Sequence, residues 1–434
     1  MKAVFISLVG LLVLASCKPK VKEQPFSAGT TNPERFVMIG GGHAAGYMDD
    51  GLYTEGQLKS VSSLLAKQLQ LVGSGVFNQP LVDNGSIGIS LTGLSPLYLG
   101  YKTDCTGETA LSPVRISSSG DANILNQFIY SASQPFSNFS IPGMKLSHVA
   151  QENYGLSNPF FARMASSSAT SVLSDALNND PTFFSLLLGI EDVMDFAKSG
   201  GTIESLPDES IFYSEYSALV QSLTANGAKG VVATIPDVTQ MPYFTTIPYN
   251  ALALDSANCA TLNAVYNPLG FYFQVGDNPF MIVDSSANQF AVRQILEDEL
   301  FLLSLPLDSV KCNQMGVLFP IRDEFVLDQS ELLNLRSKIE TYNNTIRSLA
   351  NQYGLAVVEF GQFVNNLQES FVYNGMTMST TFVSGGAFSL DGIHLTPRGN
   401  ALLANEFIKT INMYYGARIP EINAGNYRGA LFPQ

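Results

Sequence analysis

The chain has 434 residues, 46% hydrophobic and only 14% charged, a balance that excludes a disordered or coiled-coil polypeptide and requires a packed core. Its 23 basic and 37 acidic side chains leave a formal charge of −14. No basic cluster offsets that charge, so nucleic acid is excluded as a partner.

The first segment in chain order is a leader. Lys2 precedes an apolar run, Val4 to Ala15, interrupted only by Ser7. Twelve residues are too few to cross a bilayer core, which needs about 20, so the run reads as a secretory signal. No later stretch reaches transmembrane length. Leu14-Ala15-Ser16 then leads into Cys17. The string resembles the lipobox of bacterial lipoproteins, which implies cleavage after residue 16 and acylation of Cys17, giving a membrane partner through an N-terminal lipid anchor. An ordinary signal peptide with an incidental cysteine is the alternative. Residues 17–31 form a polar tether, and Lys18-Pro19-Lys20 lacks the acidic run that would suggest surface export. The expected location is the bacterial cell envelope, at the outer membrane.

From residue 32 to 434 the pattern suggests one α/β domain. Short continuous apolar runs alternate with amphipathic stretches, as parallel strands buried by crossover helices require. The expected strands are Arg35 to Ile39, Phe183 to Leu188, Gly230 to Ile235, Gly316 to Ile321 and Leu355 to Phe360. The clearest helices are Ser330 to Tyr353 and Pro397 to Tyr414. Thr396 is placed to cap the latter, Pro397 to open it, and Leu402, Leu403, Phe407, Ile408 and Ile411 to face the sheet. Residues of about 77–142, rich in Gly, Ser, Pro and Asn, read as an insertion of loops and short strands, and residues of about 236–284, rich in aromatics, as a second irregular insertion. Cys105, Cys259 and Cys312 remain beside Cys17. At most one pair of them can join within the chain, and their wide spacing argues against zinc.

Only three histidines are present, His43, His148 and His394. His394 lies in Asp391-Gly392-Ile393-His394 just before the last helix, where a carboxylate can orient an imidazole as half of a nucleophile-activating relay. After the first strand comes Gly40-Gly41-Gly42-His43-Ala44-Ala45-Gly46, a glycine-rich strand-to-helix turn able to present a nucleophile or cradle an anion. Its spacing meets the dinucleotide fingerprint only with Ala45 in place of the third glycine, and no acidic strand end follows about 20 residues on.

Taken in order, that turn, Gly189-Ile190-Glu191-Asp192 and Asp391-x-x-His394 resemble the blocks of the SGNH/GDSL hydrolases, in particular their secreted lipoprotein branch. The likeness extends to Pro142-Gly143-Met144-Lys145-Leu146-Ser147-His148 and Asn158-Pro159-Phe160-Phe161-Ala162-Arg163. It implies a flavodoxin-like three-layer α/β/α sandwich with a mainly parallel sheet, acting in active relatives on esters of lipids or acylated carbohydrates, without a cofactor. It implies a base pair of Asp391 and His394, and oxyanion-hole backbone at Gly42 and Gly143. Two positions depart from the family pattern. The family's serine nucleophile falls at Gly42, and its oxyanion asparagine at Glu191.

In serine hydrolysis the nucleophile contributes about six orders of magnitude to turnover and one oxyanion donor about two to three. The expected protein is therefore a catalytically impaired relative that binds a glycan, a lipid or an envelope protein through the former cleft. Ser90 or Ser95 as a substitute nucleophile, or a water activated between Glu191 and His394, would instead keep an esterase. A metal held by His43, Glu191 and His394 is a third option.

Overall fold

The computed structural model describes residues 24–203, 205–284 and 291–433. Five strands build the central sheet: β1 (Phe36–Gly40), β2 (Asn138–Ser140), β3 (Phe183–Leu187), β4 (Lys229–Ala233) and β5 (Ala356–Val358). They run parallel in the order β5-β4-β3-β1-β2, the flavodoxin-like 2-1-3-4-5 arrangement. β1 and β3 are buried along their whole lengths, which is why β1 reads as an apolar run and β3 as one interrupted only by Ser185. Six helices matter for the site: α1 (Val61–Gln70), α2 (Ile190–Lys198), α3 (Glu209–Thr224), α4 (Gln329–Tyr353), α5 (Phe360–Glu369) and α6 (Pro397–Tyr415).

Local signals set the helix ends. Thr396 accepts the Gly399 amide at 3.1 Å with Pro397 in the first turn, and the five apolar residues expected on the sheet-facing side of α6 are all buried. Asp328 and Glu331 form a reciprocal capping box at the start of α4, and Gly354 ends it in the left-handed region.

One expected strand is absent. Gly316 to Ile321 is a turn: Gly316 has φ +81°, Pro320 offers no amide, and Phe319 is exposed. A central strand tolerates none of these. β2 lies within the stretch read as loops and short strands. It is a three-residue edge strand in which only Phe139 is apolar, too short to give a run.

Residues 97–115 form a hairpin, Leu97–Thr103 paired with Thr109–Arg115. Its tip is joined by a Cys105–Cys312 disulfide to the short helix Leu307–Cys312, while Cys259 is a buried free thiol. Lys102 pairs with Asp308 at 2.9 Å and Lys311 with Asp104 at 2.7 Å beside the bridge. These exposed pairs add little, whereas a covalent bridge across 207 residues of sequence removes many unfolded conformations. Replacing Cys105 by Ser is expected to lower stability by about 2 to 4 kcal/mol. Denaturant unfolding of the variant checks this, with wild type under reducing conditions falling to the same midpoint.

Candidate active site

The cleft lies at the carboxyl ends of β1 and β3, where the strand order reverses and open α/β sheets place their sites. β1 ends at Gly40, and the chain turns directly into a single helical turn, Gly42–Ala45, ended by Gly46 at φ +81°. A Cβ on Gly40 would meet the Leu187 carbonyl at 2.8 Å, so only glycine lets the turn start this close to β3. β3 ends at Leu187, and Gly189, at φ +95°, turns the chain into α2 with Glu191 in its first turn. The third contributor is the loop Ser389 to Leu395 before α6.

Asp391 organises that loop. Its Oδ1 accepts the amides of Ile393 (2.9 Å) and His394 (2.8 Å) and the Ser389 hydroxyl (3.0 Å). Its Oδ2 accepts the Asp50 amide (3.0 Å) and faces His394 Nδ1 at 2.9 Å. Burial alone would raise this carboxyl, but His394 and the amide donors outweigh it and hold it far below the usual carboxylate range. A permanently ionised Asp391 fixes the proton of His394 on Nδ1 and leaves the Nε2 lone pair free. That lone pair is turned toward residue 42, where a Cβ would stand 2.5 Å from Nε2.

Glu191 takes the other side of this space. Its Oε1 accepts the Gly42 amide at 2.5 Å, and its carboxyl covers Gly41 so closely that any side chain there would overlap it. Oε2 is sealed from solvent without a hydrogen-bond partner. Burial raises the group to about 7, against the Gly42 amide and His394, which both pull it down. An uncharged acid is therefore available near neutral pH, and an ionised one places negative charge against the Gly42 amide and beside His394.

The remaining expected residues distribute as follows. Gly143, at φ +74°, lines the cleft with Gly42, Tyr47, Leu91 and Met194. Its turn is held by the Asn158 side chain donating to the Pro142 carbonyl (3.1 Å) and by Asp192 accepting the Leu146 amide (2.9 Å). His43 is buried and donates Nε2–H to the Ile393 carbonyl at 3.2 Å, its ring 4.7 Å from that of His394. Burial first, and then the neighbouring His394, lower it to about 3, so it stays neutral. Among the described residues no three His, Cys, Asp or Glu side chains are arranged to hold a metal, and His43 is committed to Ile393. His148 accepts the Lys145 amide and stacks on Tyr154 away from the cleft. Ser90 and Ser95 are buried in loop hydrogen bonds, Ser90 to Thr92 and Leu94, Ser95 to Ser117. Cys17 lies outside the described residues.

Sequence reasoning missed the turn that supports Asp391. Asp49 and Asp50 are both left-handed, at φ 52° and 51°, between mutually bonded Met48 and Gly51, a type I′ turn that suits aspartate. Asp49 binds the Leu390 amide (2.9 Å), and its own amide binds the Ser389 hydroxyl (2.9 Å). Asp50 is held by Tyr47 (2.9 Å) and by Arg115 from the hairpin (2.5 Å). The Asp-Asp-Gly string was the available signal, but nothing local tells that it meets residues 340 positions away.

The sequence profile of the GDSL-like lipase/acylhydrolase family matches residues 103–407, about 70% of the chain, including Gly143, Glu191, Asp391 and His394. The chain belongs to this family. The matched region begins after Gly42. No curated protein matches significantly. Among solved structures, an α/β-hydrolase enzyme, LAE5, from the metagenome of Lake Arreo is 10% identical, over 88% of this chain and 97% of its own, with a TM-score of 0.36. A protein from Parabacteroides merdae described as a GDSL-like lipase is 11% identical, over 89% and 99%, with a TM-score of 0.36. The lipase/acylhydrolase from Enterococcus faecalis is 10% identical, over 89% and 100%, with a TM-score of 0.33.

The buried acid of this GDSL-family site makes a pH-dependent contribution. An unfolded chain releases the Glu191 proton near its ordinary 4.5 and the folded chain near 7, so this residue costs stability as pH rises through that window. Glu191→Gln keeps an acceptor for the Gly42 amide and removes the titration. Its midpoint in thermal melts should equal that of wild type near pH 4.5 and exceed it increasingly up to pH 8. A constant difference across the range would refute the assignment.

Proposed function

We propose that this GDSL-family chain is a lipid-anchored, extracytoplasmic protein whose acyl-enzyme chemistry is impaired and whose former active-site cleft binds a glycan, a lipid or a protein partner. One observation carries the reading: the Gly42 amide, which would serve a substrate oxyanion, is already donated to the chain's own Glu191 at 2.5 Å. Among the described residues no hydroxyl is hydrogen-bonded to His394 Nε2, and the Gly42 amide is committed internally. Loss of the nucleophile alone corresponds to about six orders of magnitude, which an intact base pair does not restore. The anchor rests on the Leu14-Ala15-Ser16-Cys17 string. No helix of the described residues is long and apolar enough to cross a membrane.

The chemistry of the cleft constrains what it holds. The lone pair of His394 Nε2 is an acceptor, so a ligand offering a hydroxyl or amine donor fits better than an ester carbonyl, which needs donors. A glycan meets that requirement.

The fully bonded Asp391–His394 pair favours a second reading, an esterase in which His394 activates a water in the space beside Gly42. Turnover of an aryl acetate decides between the two. The impaired reading expects a rate indistinguishable from buffer, whereas a rate that vanishes in His394→Ala establishes the second.

Restoring a hydroxyl alone is expected to fail. Gly42→Ser should not react with a fluorophosphonate, because Glu191 still fills the hole. Gly42→Ser combined with Glu191→Asn should label. Labelling of the single variant would show that Glu191 does not obstruct the hole, and an unlabelled, folded double variant would show that the family site is no longer present.

A further inference from the structure

The orientation of the domain on its membrane follows from where the tether joins the fold. Residues 25–30 are strapped across the amino-terminal edge of the sheet. Thr30 donates to the Tyr415 carbonyl (2.9 Å) at the end of α6, and Ser27 and Arg418 exchange backbone bonds (2.8 and 3.4 Å). Arg418 Nε also reaches the Pro25 carbonyl at 2.9 Å, and Lys229, the first residue of β4, reaches the Thr30 carbonyl at 2.6 Å. Gly29 is required here, since a Cβ would collide with the Tyr415 carbonyl.

The cleft is at the opposite edge. Gly42 and Glu191 follow the carboxyl ends of β1 and β3, and a five-residue strand alone separates the edges by about 17 Å, before loops are added. Cys17 precedes Gln24, the first described residue, by seven positions, a reach of at most about 25 Å fully extended. A folded chain of about 400 residues has a radius of gyration of about 21 Å and therefore a diameter of about 55 Å. A tether shorter than half that diameter cannot bring the cleft edge to face the membrane that holds the lipid.

The strapped edge also has the surface such a position needs. Met413 and Tyr414 at the end of α6, Phe26 in the strap, and Leu71 and Val76 after α1 are all more than half exposed. The last two lie at the same edge because the Gly75 amide bonds the Glu34 carbonyl just before β1 (3.0 Å). Arg418 and Lys229 stand on this edge, and Lys18, Lys20 and Lys22 precede it in the tether, cations that favour anionic headgroups.

We propose that the amino-terminal edge, through Phe26, Leu71, Val76, Met413 and Tyr414, rests on the phospholipid surface, and that the cleft opens away from it toward soluble ligands rather than lipids of the anchoring bilayer. The proposal rests on the lipid-anchor reading of Cys17 and narrows the ligand class of the cleft.

The test uses the full chain, purified with its lipid and reconstituted in phosphatidylethanolamine and phosphatidylglycerol vesicles. Fluorophores are attached to Met413→Cys and, separately, to Lys198→Cys at the cleft rim, Cys259 being buried. A lipid-borne quencher should quench the Met413 probe several-fold more than the Lys198 probe, and aqueous iodide should do the reverse. Equal quenching, or the opposite order, in a chain whose mass shows a lipid on Cys17 overturns the orientation and leaves the anchor standing. A mass showing no lipid on Cys17 overturns the anchor reading and the orientation with it.

Discussion

The cleft is governed by one hydrogen bond, from the Gly42 amide to Glu191 Oε1. Backbone donors at the end of a parallel strand, at a helix start, bind whatever anion or acceptor lies nearest. In this chain the nearest is a side chain carried by the neighbouring strand's own helix. The bond therefore does two things at once. It satisfies a buried donor, and it sets a carboxyl in the space beside His394. Because Oε2 has no partner and burial lifts the acid to about 7, the site alternates between a neutral and an anionic form near neutral pH.

Opposite it, Asp391 gathers five donors, one from Asp50 and four from its own loop at Ser389, Ile393 and His394. Fully bonded buried carboxylates of this kind rigidify what surrounds them. The bonds run outward through Asp50 to Arg115 in the hairpin, and through the Cys105–Cys312 bridge to the segment after β4. That segment returns to the same loop, where the Tyr243 amide binds the Gly392 carbonyl at 3.0 Å. The two peripheral segments thus hold the His394 loop from both sides and are tied to each other, which keeps Nε2 directed at Gly42 although no hydroxyl is there to receive it.

Much of the fold was legible. β1 and β3 are buried on both faces, so their apolar runs needed no periodicity to be found. α4 and α6 carry caps whose residues act within four positions of one another. Gly316 to Ile321 misled because apolar content was weighed above the glycine and proline that bend it. β2 was invisible because its place comes from pairing with Met38, Ile39 and Gly40, not from its own three residues.

The sequence by itself determined the chemical content of the site: a glycine in the turn after the first strand, a glutamate opening the helix after β3, and an aspartate three residues before a histidine. Those are identities, and identities are fixed before folding. Only the tertiary structure decided what the identities do to one another. That Glu191 turns onto the Gly42 amide, that His43 turns to Ile393, that Asp50 supports Asp391 and that Cys105 joins Cys312 are contacts between residues from about 150 to 350 positions apart. Such contacts arise when the parallel sheet brings distant strand ends together, and no local pattern encodes them.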